Sequence, residues 1–215
     1  MDYPGPTPNG ELCRSALGKL EVLNVDYGEV NGLTAKRRKA PSWTDIKTVL
    51  INSDHKQLIK LISDLYNFSN ENKTFLHTRY NVGDDKLGPY KKIIEENMYP
   101  DVFRNKPIQV AKAKKAISSY SKAVGDDMGQ AELMVYFVEC GNNLTLDLGD
   151  IDEAFYDALN SMYKRAFDKV LSLPVKQKHE FKRRLKEIMT SSSGIGWGYY
   201  DTLADDYFRA FPEDK

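Results

Sequence analysis

Four carboxylates crowd one short stretch of this chain: Asp147, Asp150, Asp152 and Glu153. Carboxylates at such density can ligate a divalent cation, and a bound cation can activate water for hydrolysis. Magnesium, however, needs oxygens that converge from several elements. The stretch also lacks the alternating ligands of a calcium loop. Asp150 and Glu153 further sit at the spacing with which a helix start is capped. Asp150, Asp152 and Glu153 are therefore candidate metal ligands, with Asp205 or Asp206 as a further contributor, and a metal-dependent hydrolase is the third functional reading.

Positive charge offers a second chemistry. From Arg104 to Lys122 the chain has bases and no acid, from Val124 to Asn160 acids and no base, and from Lys164 to Glu187 mostly bases again. The chain nevertheless sums to zero, with 31 basic and 31 acidic residues. Segregated blocks of this kind either build a surface for a polyanion or set neighbouring helices of opposite charge side by side. The cancelling total favours the second. The nucleic-acid alternative would use basic helices over 104–122 and 176–186, with Lys112, Lys114, Lys115, Lys178, Lys182, Arg183, Arg184 and Lys186 as its contacts. No helix-turn-helix, zinc knuckle or aromatic RNA-binding signature accompanies them. A further run, Lys36 to Lys39, precedes Pro41 and reads as a solvated linker.

The segment from Ser191 to Asp201 alternates glycine with large side chains: Gly194, Ile195, Gly196, Trp197, Gly198, Tyr199, Tyr200. Exposed amides in a glycine loop can cradle phosphate. Here no lysine follows the glycines, no strand precedes them, and Asp201, Asp205 and Asp206 repel an anion. The glycines serve instead to let the backbone cross closely beneath the aromatics. Trp197, Tyr199 and Tyr200 are the candidate contacts for a protein partner, because exposed aromatic anchors carry much of the energy of an interface. His55, His77 and His179 stand apart, and no metalloprotease, nucleophile-elbow or paired-cysteine motif is present. No catalytic set and no cofactor follow from these residues.

The elements that must position them are helical. Leu58, Ile59, Leu61, Ile62, Leu65 and Tyr66 form a stripe with the α-helical period, capped by Ser53 or Asp54. The spacing predicts a helix over 72–80 ended near Gly83, another opened by Pro89 and stopped at Pro100, and one from Pro107 to Gly125. An apolar run over 129–140, bounded by Gly141, reads as a central helix. The longest stripe runs from Ile151 to Leu171, and Pro174, the glycine loop and Pro212 punctuate two more helices. Residues 1–41 form an N-terminal extension in which Asn31-Gly32 suggests a small hairpin. Residues 42–215 form the helical domain. The fold class is thus all-α, a compact multi-helix array of about eight helices, with a helical-repeat stack as the variant. No apolar run reaches the roughly 18 residues of a membrane span. Cys13 and Cys140 are too few for a disulfide framework, and the proline-bearing, acidic start does not resemble a secretion signal.

Two stretches, Gly149-Asp150-Ile151-Asp152-Glu153-Ala154-Phe155-Tyr156 and Ser193-Gly194-Ile195-Gly196-Trp197-Gly198, together with Ser53–Tyr66 and Ala111–Tyr120, resemble a family of bacterial proteins of unknown function. The resemblance spans about residues 43–210 and implies a small helical domain of a bacterial cytoplasm, with no activity or catalytic residue to carry over. The function these features favour is a non-enzymatic, cytoplasmic interaction or regulatory module whose partner is another protein. Nucleic-acid binding stands second.

Overall fold

Side chains and glycines mark where the helices start and stop. In this computed structural model residues 40–101 and 104–214 are described. The chain divides into two compact units, Met1–Ile51 and Asn52–Lys215. The suggested hairpin and the basic run over 36–39 lie outside the described residues. Of the first unit, the described part is residues 40–51, which hold helix α1 (Trp43–Ile51). Its start is tied by Ser42, whose N–H and hydroxyl donate to the Asp45 carboxylate at 2.7 and 2.8 Å.

The second unit holds eight α-helices, making nine among the described residues, with no strand. Helix α2 (His55–Phe68) opens with a complete capping box: the Gln57 N–H donates to Asp54 and the Asp54 N–H to the Gln57 side chain. Its cap is therefore Asp54 rather than Ser53. Helix α3 (Asn70–Tyr80) ends on Asn81 in the left-handed region, φ 56°, so Asn81 takes the role expected of Gly83. Helix α4 (Gly88–Met98) carries Pro89 in its first turn. The helix expected from Pro107 starts three residues later as α5 (Val110–Val124), and Gly125 closes it at φ 71°. After α6 (Asp127–Leu148) and α7 (Glu153–Ser172), Pro174 caps α8 (Val175–Ser191). Helix α9 (Tyr199–Ala210) follows the glycine loop, and a single 3-10 turn, Pro212–Asp214, comes after it.

The run over 129–140 is the core of α6, and it does not stop at Gly141. It continues to Leu148 because Gly141 is used for packing rather than for termination. A Cβ at that position would lie 2.4 Å from the Leu159 Cδ2 of α7, and Leu159 is fully buried. The missing side chain lets α6 and α7 cross closely, which is the general use of small residues where helices touch.

Helix α6 buries thirteen of its 22 residues, most of them apolar, as a helix packed among others does. It packs against α4 and α5 on one side and α7 and α8 on the other. Helix α9 closes over α7 and α8, while α3 lies on α5 and α2 on α3. The aromatic end of the core joins Tyr163, Phe167, Tyr207 and Phe211 in edge-to-face contacts with centroids 4.8–6.2 Å apart. The Tyr163 hydroxyl, buried there, donates to the Leu185 carbonyl at 2.8 Å. By contrast, the stripe of α2 buries nothing completely: Ile59, Leu61, Ile62, Leu65 and Phe68 stand exposed.

Gly141→Ala tests the close crossing. Alanine's better helix propensity alone would add about 1 kcal/mol. Crowding against Leu159 is expected to reverse that sign and lower stability by about 1–2 kcal/mol in urea denaturation. In a Leu159→Ala background the same substitution should cost nothing.

Candidate functional site: a cleft floored by α6

Most residues singled out in the sequence turn out to have structural partners. The four carboxylates do not converge, and among the described residues no group of three or more histidine, cysteine or acidic side chains could hold a metal ion. The start of α7 is capped by Asp152, whose carboxylate accepts from the Phe155 N–H at 2.8 Å; the capping role expected of Asp150 belongs to it. Asp150 accepts from the Tyr156 hydroxyl at 3.1 Å and faces Gly196, where a Cβ would meet its carboxylate at 2.9 Å. Glu153 lies exposed in the first turn, and Asp206 pairs with Arg209. The metal-ligand expectation for Asp150, Asp152 and Glu153 is therefore corrected: helix capping and loop packing take up Asp150 and Asp152.

The aromatic trio divides. Tyr199 is fully buried against Tyr156, so it is a core residue and not the surface contact expected of it. Tyr200 is half-buried, whereas Trp197 is 58% exposed and held in the left-handed region at φ 61°. That conformation is a strained one for a bulky residue. The glycine loop thus carries one aromatic outward while the next enters the core.

The basic helix over 176–186 is spent on ion pairs. Lys182 binds Glu213 and Asp214 at 2.7 and 2.8 Å. Lys186 also reaches Asp214, Arg183 pairs with Glu180 and Glu187, and Lys178 donates to the Leu171 carbonyl. Arg184 presents its fork to Glu139 at 2.7 Å through both Nε and Nη2 and reaches Glu132 with Nη1. On α5, Lys115 pairs with Glu71 at 2.8 Å, while Lys112 and Lys114 form no ion pair among the described residues.

The Arg184 fork forms one wall of a polar cleft of about 520 Å³ between α4 and α8, with α6 as its floor. Glu95 and Tyr99 line it from the α4 side, Tyr136, Glu139, Cys140, Asn142 and Asp147 from α6, and Arg184, Glu187 and Ser191 from α8. Tyr99 donates to Asp147. Burial pushes the Cys140 thiol up to about 12, which keeps it protonated and unreactive near neutral pH. Burial also raises the Tyr136 hydroxyl, with Cys140 and Glu95 adding to the effect. Asn142 is 2% exposed; its amide nitrogen donates to the Ser191 hydroxyl at 2.9 Å, but its carboxamide oxygen has no hydrogen-bond partner. A buried acceptor left unpaired costs about 1–3 kcal/mol. Of its four carboxylates Glu139 and Glu187 are paired with Arg184 and Arg183, and Glu95 and Asp147, which have no ion pair among the described residues, leave the cleft negative. The cleft therefore offers acceptors, and it suits a ligand rich in N–H donors and positive charge.

Of the residues that make this cleft a site, the sequence singled out two in other roles, Asp147 in the acidic cluster and Arg184 among the bases. They come from three helices and look individually like helix surface. One signal was available: Asn142 interrupts the apolar period of α6 on a side that must be buried.

Desolvation alone would raise the Glu132 carboxyl, but hydrogen bonds from Arg184 and Lys91 win and hold it below its ordinary 4.5. Its contribution to stability is thus complete above that ordinary value and is lost as pH falls through the lower folded one. Arg184→Leu is expected to cost about 3 kcal/mol at neutral pH, the lower end of the range for breaking a buried pair, since the three side chains keep 14–25% of their exposure. The variant should also lose part of the acid-side decline of stability, measured by urea denaturation from pH 7 to pH 3.

No curated protein and no solved structure matches the chain. Residues 41–204, well over half of the chain, match a family of unknown function, DUF6155, and the chain belongs to that family.

Proposed function

We propose that the chain is a non-enzymatic helical binding module that takes a basic side chain of a partner protein into the cleft between α4 and α8. A single observation carries this: the cleft's unspent polar atom, the Asn142 carboxamide oxygen, is a buried acceptor, set among carboxylates that need positive charge opposite them. A lysine ammonium or arginine guanidinium supplies both donors and charge. Tyr99 lines the same space and its ring suits a cation; the Tyr136 ring already carries the Lys91 ammonium, 5.1 Å from its centroid.

That the occupant belongs to a protein is supported by the loop that follows α8. Ser191 ends α8 at the cleft, and the loop that follows carries Trp197, exposed and held in a strained conformation. Strain in an exposed residue is characteristic of recognition sites, and an exposed indole gives a partner an aromatic anchor. The buried thiol of Cys140 suits a reducing compartment, and we place the module in the cytoplasm. Among the described residues no helix is long and apolar enough to cross a membrane.

Titration calorimetry of the full chain with short arginine- or lysine-bearing peptides tests the proposal, with acidic peptides as the control. Saturable binding of the basic set is expected. Glu95→Gln and Asn142→Leu should each weaken it about tenfold, the value of one charge-assisted hydrogen bond. Asn142→Leu changes no charge, so an unchanged affinity in that variant would show that basic peptides merely collect on an acidic surface.

A further inference from the structure

On the other side of α6 lies a groove of opposite character. It has a volume of about 550 Å³ and runs between α5 and α7, with the buried Ile117 and Met134 in its floor. Lys114 and Lys122 of α5 and Arg165 of α7 line it, and no acidic side chain does. These three form no ion pair among the described residues, unlike the bases of α8. Lys115, also on the wall, is held by Glu71. A further cation stands close by, because Arg79 donates to the Lys122 carbonyl.

Neutral donors complete the lining. Ser118 and Ser121 contribute hydroxyls that make no hydrogen bond among the described residues, and Gln130 of α6 contributes a carboxamide that makes none either, although only 6% of the residue is exposed. Its position on the wall of a cationic groove places unused N–H donors beside uncompensated positive charge.

We propose that this groove binds a phosphorylated small molecule, with Lys114, Lys122 and Arg165 neutralising the phosphate and Ser118, Ser121 and the Gln130 amide donating to its oxygens. Arginine and lysine supply the charge-assisted bonds that phosphate oxygens favour. The groove's volume falls within the range of small-molecule sites. A nucleic-acid strand is less well served. The groove is short, and no aromatic side chain lines it on which successive bases could stack. The α8 bases that would extend the track are already paired.

The test uses the full chain, labelled with ¹⁵N and titrated with inorganic phosphate, with a nucleoside monophosphate, and with a short single-stranded oligonucleotide, at constant ionic strength. Saturable shifts of the Ser118 and Ser121 amides and of the Gln130 side-chain NH₂ are expected with the first two probes. Lys114→Gln and Arg165→Gln should each weaken binding about tenfold, and Gln130→Leu should weaken it with the cationic charge intact. Circular dichroism confirms that each variant is folded; should Gln130→Leu not fold, Ser118→Ala provides the uncharged test. Shifts that stay linear in phosphate, or that are unaffected by these substitutions, would overturn the site. Tighter binding of the oligonucleotide through the same residues would overturn the small-molecule assignment in favour of a polyanion surface.

Discussion

The Arg184 guanidinium is the contact that fixes how α8 sits on α6. Its fork spans Glu139 and Glu132, seven residues apart and so two turns along one face of α6, and Lys91 of α4 reaches the same Glu132 at 2.6 Å. One network thereby sets the spacing of three helices. Hydrophobic contact alone would let α8 slide along α6, because apolar burial carries little direction. A planar fork gripping two carboxylates allows one register. The cleft between α4 and α8 exists because that register holds the two helices apart above Tyr136 and Cys140.

The same ion pairs explain why segregated charge does not produce a uniformly charged surface. The acidic block over 124–160 forms α6 and the start of α7, and the basic block over 164–187 forms the rest of α7 and α8. Folding brings α8 onto α6, so much of the two blocks cancels inside the fold, through Arg184 above all. Lys182 and Lys186 are cancelled in turn by Glu213 and Asp214 beyond α9. What escapes cancellation is the useful remainder: negative charge around Glu95 and Asp147, positive charge around Lys114, Lys122 and Arg165.

Much of the helical order was legible from local chemistry. Asp54, Pro89, Gly125 and Pro174 mark helix ends through effects that act within four residues, and the apolar period does the rest. Errors arose where a distant contact decided. Gly141 looks like a stop signal and is a helix crossing, a fact that resides in Leu159. Tyr199 looks like part of an exposed aromatic cluster, yet its backbone direction, set by Gly198 at φ 64°, sends it into the core while Trp197 turns out. Asp150 and Asp152 compete for one capping role, and two residues decide which wins. The cleft was the least legible feature, since it depends on three helices meeting and on which charges find partners first.

Two residues of α6 nevertheless announce both sites in one dimension. Gln130 and Asn142 are the amide residues among those that α6 buries. Twelve residues separate them, which is roughly 18 Å along the axis and about a third of a turn around it, so each opens on a different side of the helix. A buried amide without a full set of partners destabilises the free protein by an amount that apolar replacement would remove. The most buried helix of a fold is the place where such a penalty is hardest to offset by water. A ligand that completes the hydrogen bonds offsets it directly and binds only the folded state, so that recognition and stability become linked at Asn142, whose carboxamide oxygen is the buried atom of the pair without a partner.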